Sequence, residues 1–193
     1  EEGQTWDFEF NKQGNKIAAS ISPKNLIDHR YMFRKIYLID LASGDLKQIS
    51  ENQGKLGNYA FSPDGNHLAY AAALNINDHQ VSQAFVVNLQ TGVVSNYTPE
   101  KYRGHVSHVD WKDSNTLLYT AGEGVYPKLY SVTLTDAKRE LLLDAEESGL
   151  IFNTPRYTAD FKNFVFSAST PNDPGNLYHW DGKKEIVKPT DIN

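Results

Sequence analysis

His29, Arg30 and Tyr31 are neighbours whose side chains are well suited to binding a ligand. An arginine guanidinium offers a planar fork to an anion, and a tyrosine ring offers a face on which a ligand can stack. The alternative interpretation is a solvated surface loop in which Tyr31 packs on the neighbouring strands. We therefore take Arg30 and Tyr31 as candidate binding residues for an anionic or aromatic group.

The sequence contains no recognisable set of residues for catalysis or for metal binding. It contains no cysteine, which excludes disulfides, thiolate metal sites and a cysteine nucleophile. The Gly-x-Ser-x-Gly elbow, the phosphate-binding loop, the dinucleotide fingerprint and the His-Glu-x-x-His motif are all absent. His105 and His108 are three residues apart, and a strand would direct them to opposite faces. We expect no catalytic residue, no metal site and no cofactor.

The charge and hydropathy of the chain exclude further classes. The formal net charge is −5, and the lysines and arginines are scattered, whereas nucleic-acid binding needs a basic footprint. No apolar run is long enough to span a membrane. The cysteine-free composition favours a periplasmic or secreted protein, with the cytoplasm as the alternative. The start at Glu1-Glu-Gly-Gln4 is typical of a domain that begins within a longer protein or after processing.

A recurring turn motif indicates which elements position these residues. Its clearest copy is Phe61-Ser-Pro-Asp-Gly65, followed by the apolar run Leu68-Ala-Tyr70. Pro63 presets φ, and Gly65 tolerates a positive φ at no steric cost. The motif predicts a tight β-hairpin.

The same pattern recurs along the chain, and a second hairpin follows each copy. The copies align at Phe10, Phe61, Trp111 and Tyr157, at intervals of about 50 residues. Each unit then has four antiparallel strands, and the period falls within the range of propeller blades. The sequence predicts an all-β fold, a single partial β-propeller domain over residues 1–193. Its four blades are predicted at about 4–50, 56–98, 105–143 and 151–190.

The repeat register also predicts local details. Trp6, Phe8 and Phe10 alternate as a strand that faces a core. Residues 24–33 and 122–127 are predicted loops between hairpins. Residues 137–147 have good helix propensity, but the register favours an outer strand at 139–143 followed by a loop.

The turn motif carries a resemblance to a known family. Phe61-Ser-Pro-Asp-Gly65 with Leu68-Ala-Tyr70, then Phe85-Val-Val-Asn-Leu89 and the exit Tyr97-Thr98, resembles the Ser-Pro-Asp-Gly propeller repeat. That repeat occurs in TolB and in the N-terminal propellers of prolyl-oligopeptidase-family serine peptidases. The first copy departs from it, with Asn11-Lys-Gln-Gly14 at the turn.

The resemblance implies one of two functions. The preferred one is a non-catalytic, substrate-gating propeller of a dipeptidyl- or acylaminoacyl-peptidase-like serine peptidase, whose partner is a hydrolase domain in the same parent chain. The alternative is a TolB-like module that binds a peptide or protein and has no enzyme attached. In dipeptidyl-peptidase-type members an acidic pair binds the free amino terminus of the substrate. The resemblance makes Glu146 and Glu147 candidates for that role, against a solvated acidic turn.

Four blades leave the ends of the arc to be covered. Propellers have up to eight blades, so the two end sheets of a four-bladed arc expose apolar faces. Further blades would cover them in a larger parent protein. A second copy could do so in the isolated chain, giving a homodimer of two arcs, and a closed four-bladed ring is the competing arrangement.

Overall fold

β-Strands make up most of the structure, a computed structural model that describes residues 3–183 and 185–190. The strands form four antiparallel sheets that follow one another along the chain. In the first three sheets, strands that are consecutive in sequence are neighbours, as successive hairpins require; in the fourth sheet two short strands both pair with the strand that follows them. The predicted all-β fold with four-stranded antiparallel blades is confirmed.

The four sheets have the following strands. The first contains β1 (Gln4–Phe10), β2 (Lys16–Ser22), β3 (Lys35–Asp40) and β4 (Leu46–Gln48). The second contains β5 (Leu56–Phe61), β6 (His67–Ala73), β7 (Ser82–Asn88) and β8 (Val94–Asn96). The third contains β9 (His105–Asp113), β10 (Thr116–Glu123), β11 (Tyr126–Thr133) and β12 (Arg139–Asp144). The fourth contains β13 (Ile151–Phe152), β15 (Phe164–Thr170), β16 (Asp173–Trp180) and β17 (Ile186–Val187), and β14 (Arg156–Tyr157) also pairs with β15.

The hydrophobic core lies in three layers between successive sheets. Ile36 of the first sheet and Tyr70 of the second belong to one buried cluster. Trp111 belongs to the next cluster, and its indole N–H donates to the Ala60 carbonyl across the interface at 2.9 Å. Phe164 and Trp180 belong to the third cluster. Because burial of apolar area is the main favourable term in folding, sheet-on-sheet packing holds the arc together.

The outer faces of the two end sheets are open. Phe8 and Phe10 are 67% and 53% exposed, so the prediction that they face a core is wrong. They lie on the side of the first sheet that faces away from the second, and no other sheet formed by the described residues packs there. In the fourth sheet, Val165 and Leu177 are likewise exposed. Among the described residues no hydrogen bond or ion pair joins the fourth sheet to the first, so the four sheets form an open arc.

The turn between β5 and β6 has the predicted geometry. Gly65 has φ +73°, its N–H donates to the Ser62 carbonyl at 2.8 Å, and the Ser62 hydroxyl donates to Asp64 at 2.6 Å. A Cβ on Gly65 would lie 2.7 Å from the Gln13 side-chain oxygen. Only glycine enters this backbone region freely, which explains the motif.

We expect Gly65→Val to lower the free energy of unfolding by about 1 to 3 kcal/mol, because valine is strained at positive φ. Gly65→Asn is the matched control, since asparagine tolerates the left-handed region better. Denaturant unfolding of both variants measures the effect. Equal stability of Gly65→Val and the unmodified chain would show that the turn assignment is wrong.

Three connections differ from the sequence prediction. Residues 24–33 contain a short helix, α1 (Ile27–Met32), rather than only a loop. Residues 122–127 are mostly strand, because Glu123 pairs with Tyr126 across a two-residue turn. The outer strand predicted at 139–143 is present as β12, but it leads into a second short helix, α2 (Ala145–Ser148), not a loop. The Asp144 side chain caps α2 by accepting from the Glu146 N–H at 2.8 Å.

Candidate functional site

Two kinds of connection share one side of the arc. In a four-stranded antiparallel sheet, the connection from the second to the third strand and the connection from the fourth strand to the next sheet leave at the same end of the strands. Helix α1 is a link of the first kind, between β2 and β3, and α2 is a link of the second kind, between β12 and β13. Both helices therefore lie on one rim of the arc, which we call the helical rim.

The structure places the four candidate residues on this rim but in two separate groups. Arg30 and Tyr31 lie on α1 of the first sheet, whereas Glu146 and Glu147 lie on α2, with the second sheet between them. No hydrogen bond or ion pair within the described part of the chain joins the two pairs. They are therefore two separate features of the rim.

Arg30 is held against an aromatic ring. Its guanidinium carbon lies 4.8 Å from the centre of the Trp6 ring, a cation–π contact. No carboxylate of the described residues lies within ion-pair distance of Arg30. Tyr31 is 57% exposed beside it. Arg30 thus keeps its N–H donors available to an external acceptor.

A polar cleft of about 430 Å³ opens beside Arg30, between the first two sheets. The residues that line it include Asp7, Glu9, Arg30, Tyr31, Arg34 and Tyr59. We call it the α1 cleft. Arg34 forms an ion pair with Asp7 at 2.7 Å and donates to the Leu56 carbonyl at 2.7 Å. This pair neutralises one of the two arginines and fixes the wall of the cleft.

Two further side chains of the cleft, Glu9 and Tyr59, have raised pKa values. Burial raises the pKa of Glu9, although a hydrogen bond from the Phe61 N–H opposes it, and the nearby Asp110 raises it further. Burial also raises the pKa of Tyr59 to about 12, so its hydroxyl stays protonated at neutral pH. Both shifts reflect partial exclusion of water from the cleft.

Side chains on the first strands of neighbouring sheets tie the sheets together. Asn58 of β5 accepts from the Val109 N–H at 2.9 Å and donates to the Val109 carbonyl at 2.8 Å. The Tyr157 hydroxyl of β14 donates to Asp110 of β9. We call the edge of the arc formed by β1, β5, β9 and β14 its inner edge. Because each bond crosses an interface between sheets, this inner edge is held in one arrangement.

A partly buried ion pair joins β10 and β12 of the third sheet. Arg139 donates to Glu123 at 2.6 Å, and the hydroxyls of Tyr102 and Tyr130 each donate to Glu123 at 3.0 Å. The Arg139 guanidinium also lies 3.5 Å from the Tyr130 ring centre. Burial favours a higher pKa for Glu123, but the hydrogen bonds from Arg139, Tyr130 and Tyr102 outweigh it and lower that pKa.

The α2 pair has a different environment. Lys128 lies 2.9 Å from Asp144 and 3.8 Å from Glu146, whose side chain is 63% exposed. Glu147 is exposed as well. Both carboxylates are therefore solvated, and Lys128 pairs first with Asp144.

Other kinds of site were not found in residues 3–183 and 185–190. No three histidine or acidic side chains there lie close enough together to hold a metal ion. No helix in this part of the chain has the length and apolar character needed to cross a membrane.

Sequence reasoning found Arg30 and Tyr31 but missed the rest of the cleft. Asp7, Glu9 and Arg34 are far apart in sequence from some of their contacts, and sheet packing brings them together. One signal was present in the sequence, because the acidic residues Asp7 and Glu9 alternate with Phe8 and Phe10. That alternation marks a strand with one polar face.

Comparison with known proteins identifies the fold. No family model and no curated protein matches the sequence. Among solved structures, a TolB from Agrobacterium tumefaciens matches with TM-score 0.69 and 17% identity, over 96% of this chain and 65% of that one. An oligogalacturonate lyase from Vibrio parahaemolyticus matches with TM-score 0.72 and 14% identity, over 100% and 56%. An acylaminoacyl peptidase from Pyrococcus horikoshii matches with TM-score 0.65 and 14% identity, over 98% and 33%.

These matches extend over nearly the whole chain, yet the chain spans less than two thirds of the length of each of these proteins. At such low identity they establish the fold alone, not a shared activity. They agree with the resemblance carried by the turn motif around Gly65. The chain is a partial β-propeller with the fold of TolB and of the propeller regions of prolyl-oligopeptidase-type peptidases.

Proposed function

We propose that this chain is a non-catalytic propeller segment that filters substrates for a serine hydrolase domain in the same parent polypeptide. The observation that supports it best is the open arc, which aligns over 98% of its length with 33% of an acylaminoacyl peptidase. A further blade on each open end face would bury Phe8, Phe10 and their counterparts in the fourth sheet. The hydrolase domain would occupy the remaining length.

The inner edge of the arc has properties suited to a filter. Charged side chains on the first strands, among them Glu9 and Asp110, make this edge polar, and a polar edge suits an extended peptide. The ties from Asn58 to Val109 and from Tyr157 to Asp110 oppose separation of the sheets. A rigid polar passage would admit an extended peptide and exclude a folded protein.

The acidic pair on α2 fits the same function. Glu146 and Glu147 are solvated carboxylates on the helical rim, and carboxylates form strong charge-assisted hydrogen bonds with an ammonium group. We propose that they bind the free amino terminus of a peptide substrate. We also propose, from the cysteine-free sequence, that the parent protein is periplasmic or secreted.

A size-selection assay tests the filter. The full-length parent protein should hydrolyse a short chromogenic peptide but not the same segment within a stably folded protein, and unfolding that protein should restore cleavage. The isolated chain should hydrolyse neither, because it lacks a nucleophile elbow. Equal cleavage of the folded and unfolded forms by the parent protein would contradict the filter.

A TolB-like binding module with no enzyme attached is the second candidate. The TolB of A. tumefaciens supports it, since it aligns with 96% of this chain. In that case the parent protein would hydrolyse none of the substrates, and a peptide or protein would bind at the rim. The size-selection assay therefore separates the two functions.

We also propose that the isolated chain forms a homodimer of two arcs, with the fourth sheet of each copy packed on the first sheet of the other. This arrangement repeats the sheet-on-sheet packing within the arc and covers Phe8 and Phe10. Sedimentation at tens of micromolar should give the mass of two chains. A monomer with no concentration dependence would exclude this dimer.

A further inference from the structure

We propose that the α1 cleft binds the terminal carboxylate of an extended peptide, with Arg30 as the anion-binding group. This inference rests on the proposed function, because it names the substrate group that the helical rim recognises. It concerns a site separate from the acidic pair on α2, and it follows from the contacts of the first two sheets alone.

The charges in the cleft leave one cation without a partner. Arg34 is neutralised by Asp7 at 2.7 Å, and Glu9 accepts a hydrogen bond from the second sheet. Arg30, by contrast, has no carboxylate of the described residues within ion-pair distance. An external anion is the partner that completes this arrangement.

The guanidinium group of Arg30 is already oriented to bind an anion. Its contact with Trp6, at 4.8 Å from guanidinium carbon to ring centre, holds the planar group in one orientation while its N–H edge stays available. Less side-chain freedom is then lost when an anion binds.

The cleft chemistry favours a carboxylate over a phosphate. Glu9 lines the same cleft beside the Asp7–Arg34 pair, and its carboxylate would repel a doubly charged phosphate more strongly than a singly charged carboxylate. A carboxylate carries a single charge and matches the bidentate fork of an arginine. The volume of about 430 Å³ suits the last one or two residues of a peptide rather than a large ligand.

The cleft would remain accessible in a closed propeller. It lies between the first and second sheets, beside α1. A further blade on the opposite face of the first sheet would cover Phe8, which also lines the cleft, but not the wall formed by Asn58 and Tyr59 of the second sheet. A peptide whose terminus binds there would extend along the inner edge of the arc, where the first strands β1 and β5 lie side by side. The proposed site and the proposed passage are therefore adjacent.

Tryptophan fluorescence of the isolated chain reports on this site. Trp111 and Trp180 are 5% and 4% exposed, so Trp6 is the tryptophan that a ligand at Arg30 would affect. The probes are acetyl-Ala-Ala-Leu with a free carboxylate and the same peptide with a C-terminal amide. We expect the carboxylate form to bind at least about tenfold more tightly, as expected for hydrogen bonds to a charged group.

Substitutions of Arg30 and of a control arginine test whether the preference for the carboxylate depends on Arg30 or on the general positive charge of the rim. Arg30→Gln should remove the preference for the carboxylate, and Arg30→Lys should retain part of it through charge alone. Arg103→Gln is the control, because Arg103 is an exposed arginine of the same rim outside the cleft. Thermal melting checks that each variant is folded, and Arg30, on an exposed helix, should tolerate the change.

The results that overturn the proposal are specific. Equal affinity for the acid and the amide, no binding of either peptide, or an unchanged preference in Arg30→Gln would each do so. Binding of an oligogalacturonate that depends on Arg30, with no binding of the peptide acid, would also overturn the peptide assignment. Failure of the size-selection assay with an intact carboxylate preference would contradict the filter but leave this site standing.

Discussion

Asn58→Ala is expected to lower the free energy of unfolding by about 2 to 4 kcal/mol, since each unpaired buried polar group costs about 1 to 3 kcal/mol. The side chain of Asn58 satisfies both the N–H and the carbonyl of Val109, at 2.9 and 2.8 Å. Val109 is fully buried, so water cannot easily replace these bonds. The loss should appear in denaturant unfolding of the isolated chain.

A matched asparagine separates the inter-sheet tie from a general effect of the substitution. Asn153 donates to the Ser167 hydroxyl at 2.9 Å on the exposed surface of the fourth sheet. Asn153→Ala should change the stability by less than about 0.5 kcal/mol, as for most surface substitutions. Equal losses for the two variants would refute the claim that Asn58 ties the second sheet to the third.

Glu123→Gln is expected to lower the free energy of unfolding by about 2 to 4 kcal/mol, because it leaves the Arg139 charge unpaired among tyrosine rings. This loss of stability is smaller than for a fully buried ion pair, because the side chains of Arg139 and Glu123 are 25% and 28% exposed. Lys138 and Glu140 form an exposed ion pair in the same sheet. Glu140→Gln is therefore the control and should leave the melting temperature unchanged.

The pH dependence of stability gives an independent check on Glu123. Its pKa is lowered in the folded chain from an ordinary value of 4.5. A carboxyl with a depressed folded pKa stabilises the fold above its unfolded pKa, and this contribution is lost as the pH falls through the folded pKa. The stability difference between the unmodified chain and Glu123→Gln should therefore shrink below about pH 4.5. A difference that stays constant down to pH 2 would contradict the assignment.

The repeat architecture was predictable because its signals are local. The turn at Gly65 depends on residues within five positions of one another, and its conformation matches the prediction. The fourth repeat shows where this reasoning weakens. Phe161 stands at the position of the glycine with φ +54°, a conformation that its residue type does not suggest. Packing of its ring on Tyr157, with centroids 4.5 Å apart, accompanies that strained backbone.

The α1 cleft was only partly predictable, because its geometry depends on contacts between sheets. Arg30 and Tyr31 could be selected by residue type. The pairing of Arg34 with Asp7 spans 27 positions and follows from strand pairing in the first sheet, and the bond from Arg34 to the Leu56 carbonyl follows from packing of the second sheet on the first. Helix α1 was missed because it is six residues long and has no side-chain cap. The partners of Glu123 were missed because they are distant in sequence: Tyr102 precedes β9 and Arg139 lies on β12, at separations of 21 and 16 positions.

Labelling of the full-length parent protein with a fluorophosphonate probe tests the central claim most directly. The probe reacts covalently with an activated catalytic serine, and peptide mapping identifies the labelled residue. If this chain is a non-catalytic propeller segment of a serine hydrolase, the parent protein will be labelled at one serine outside residues 1–193. A label on a serine within residues 1–193, or no label on a folded parent protein, would contradict it.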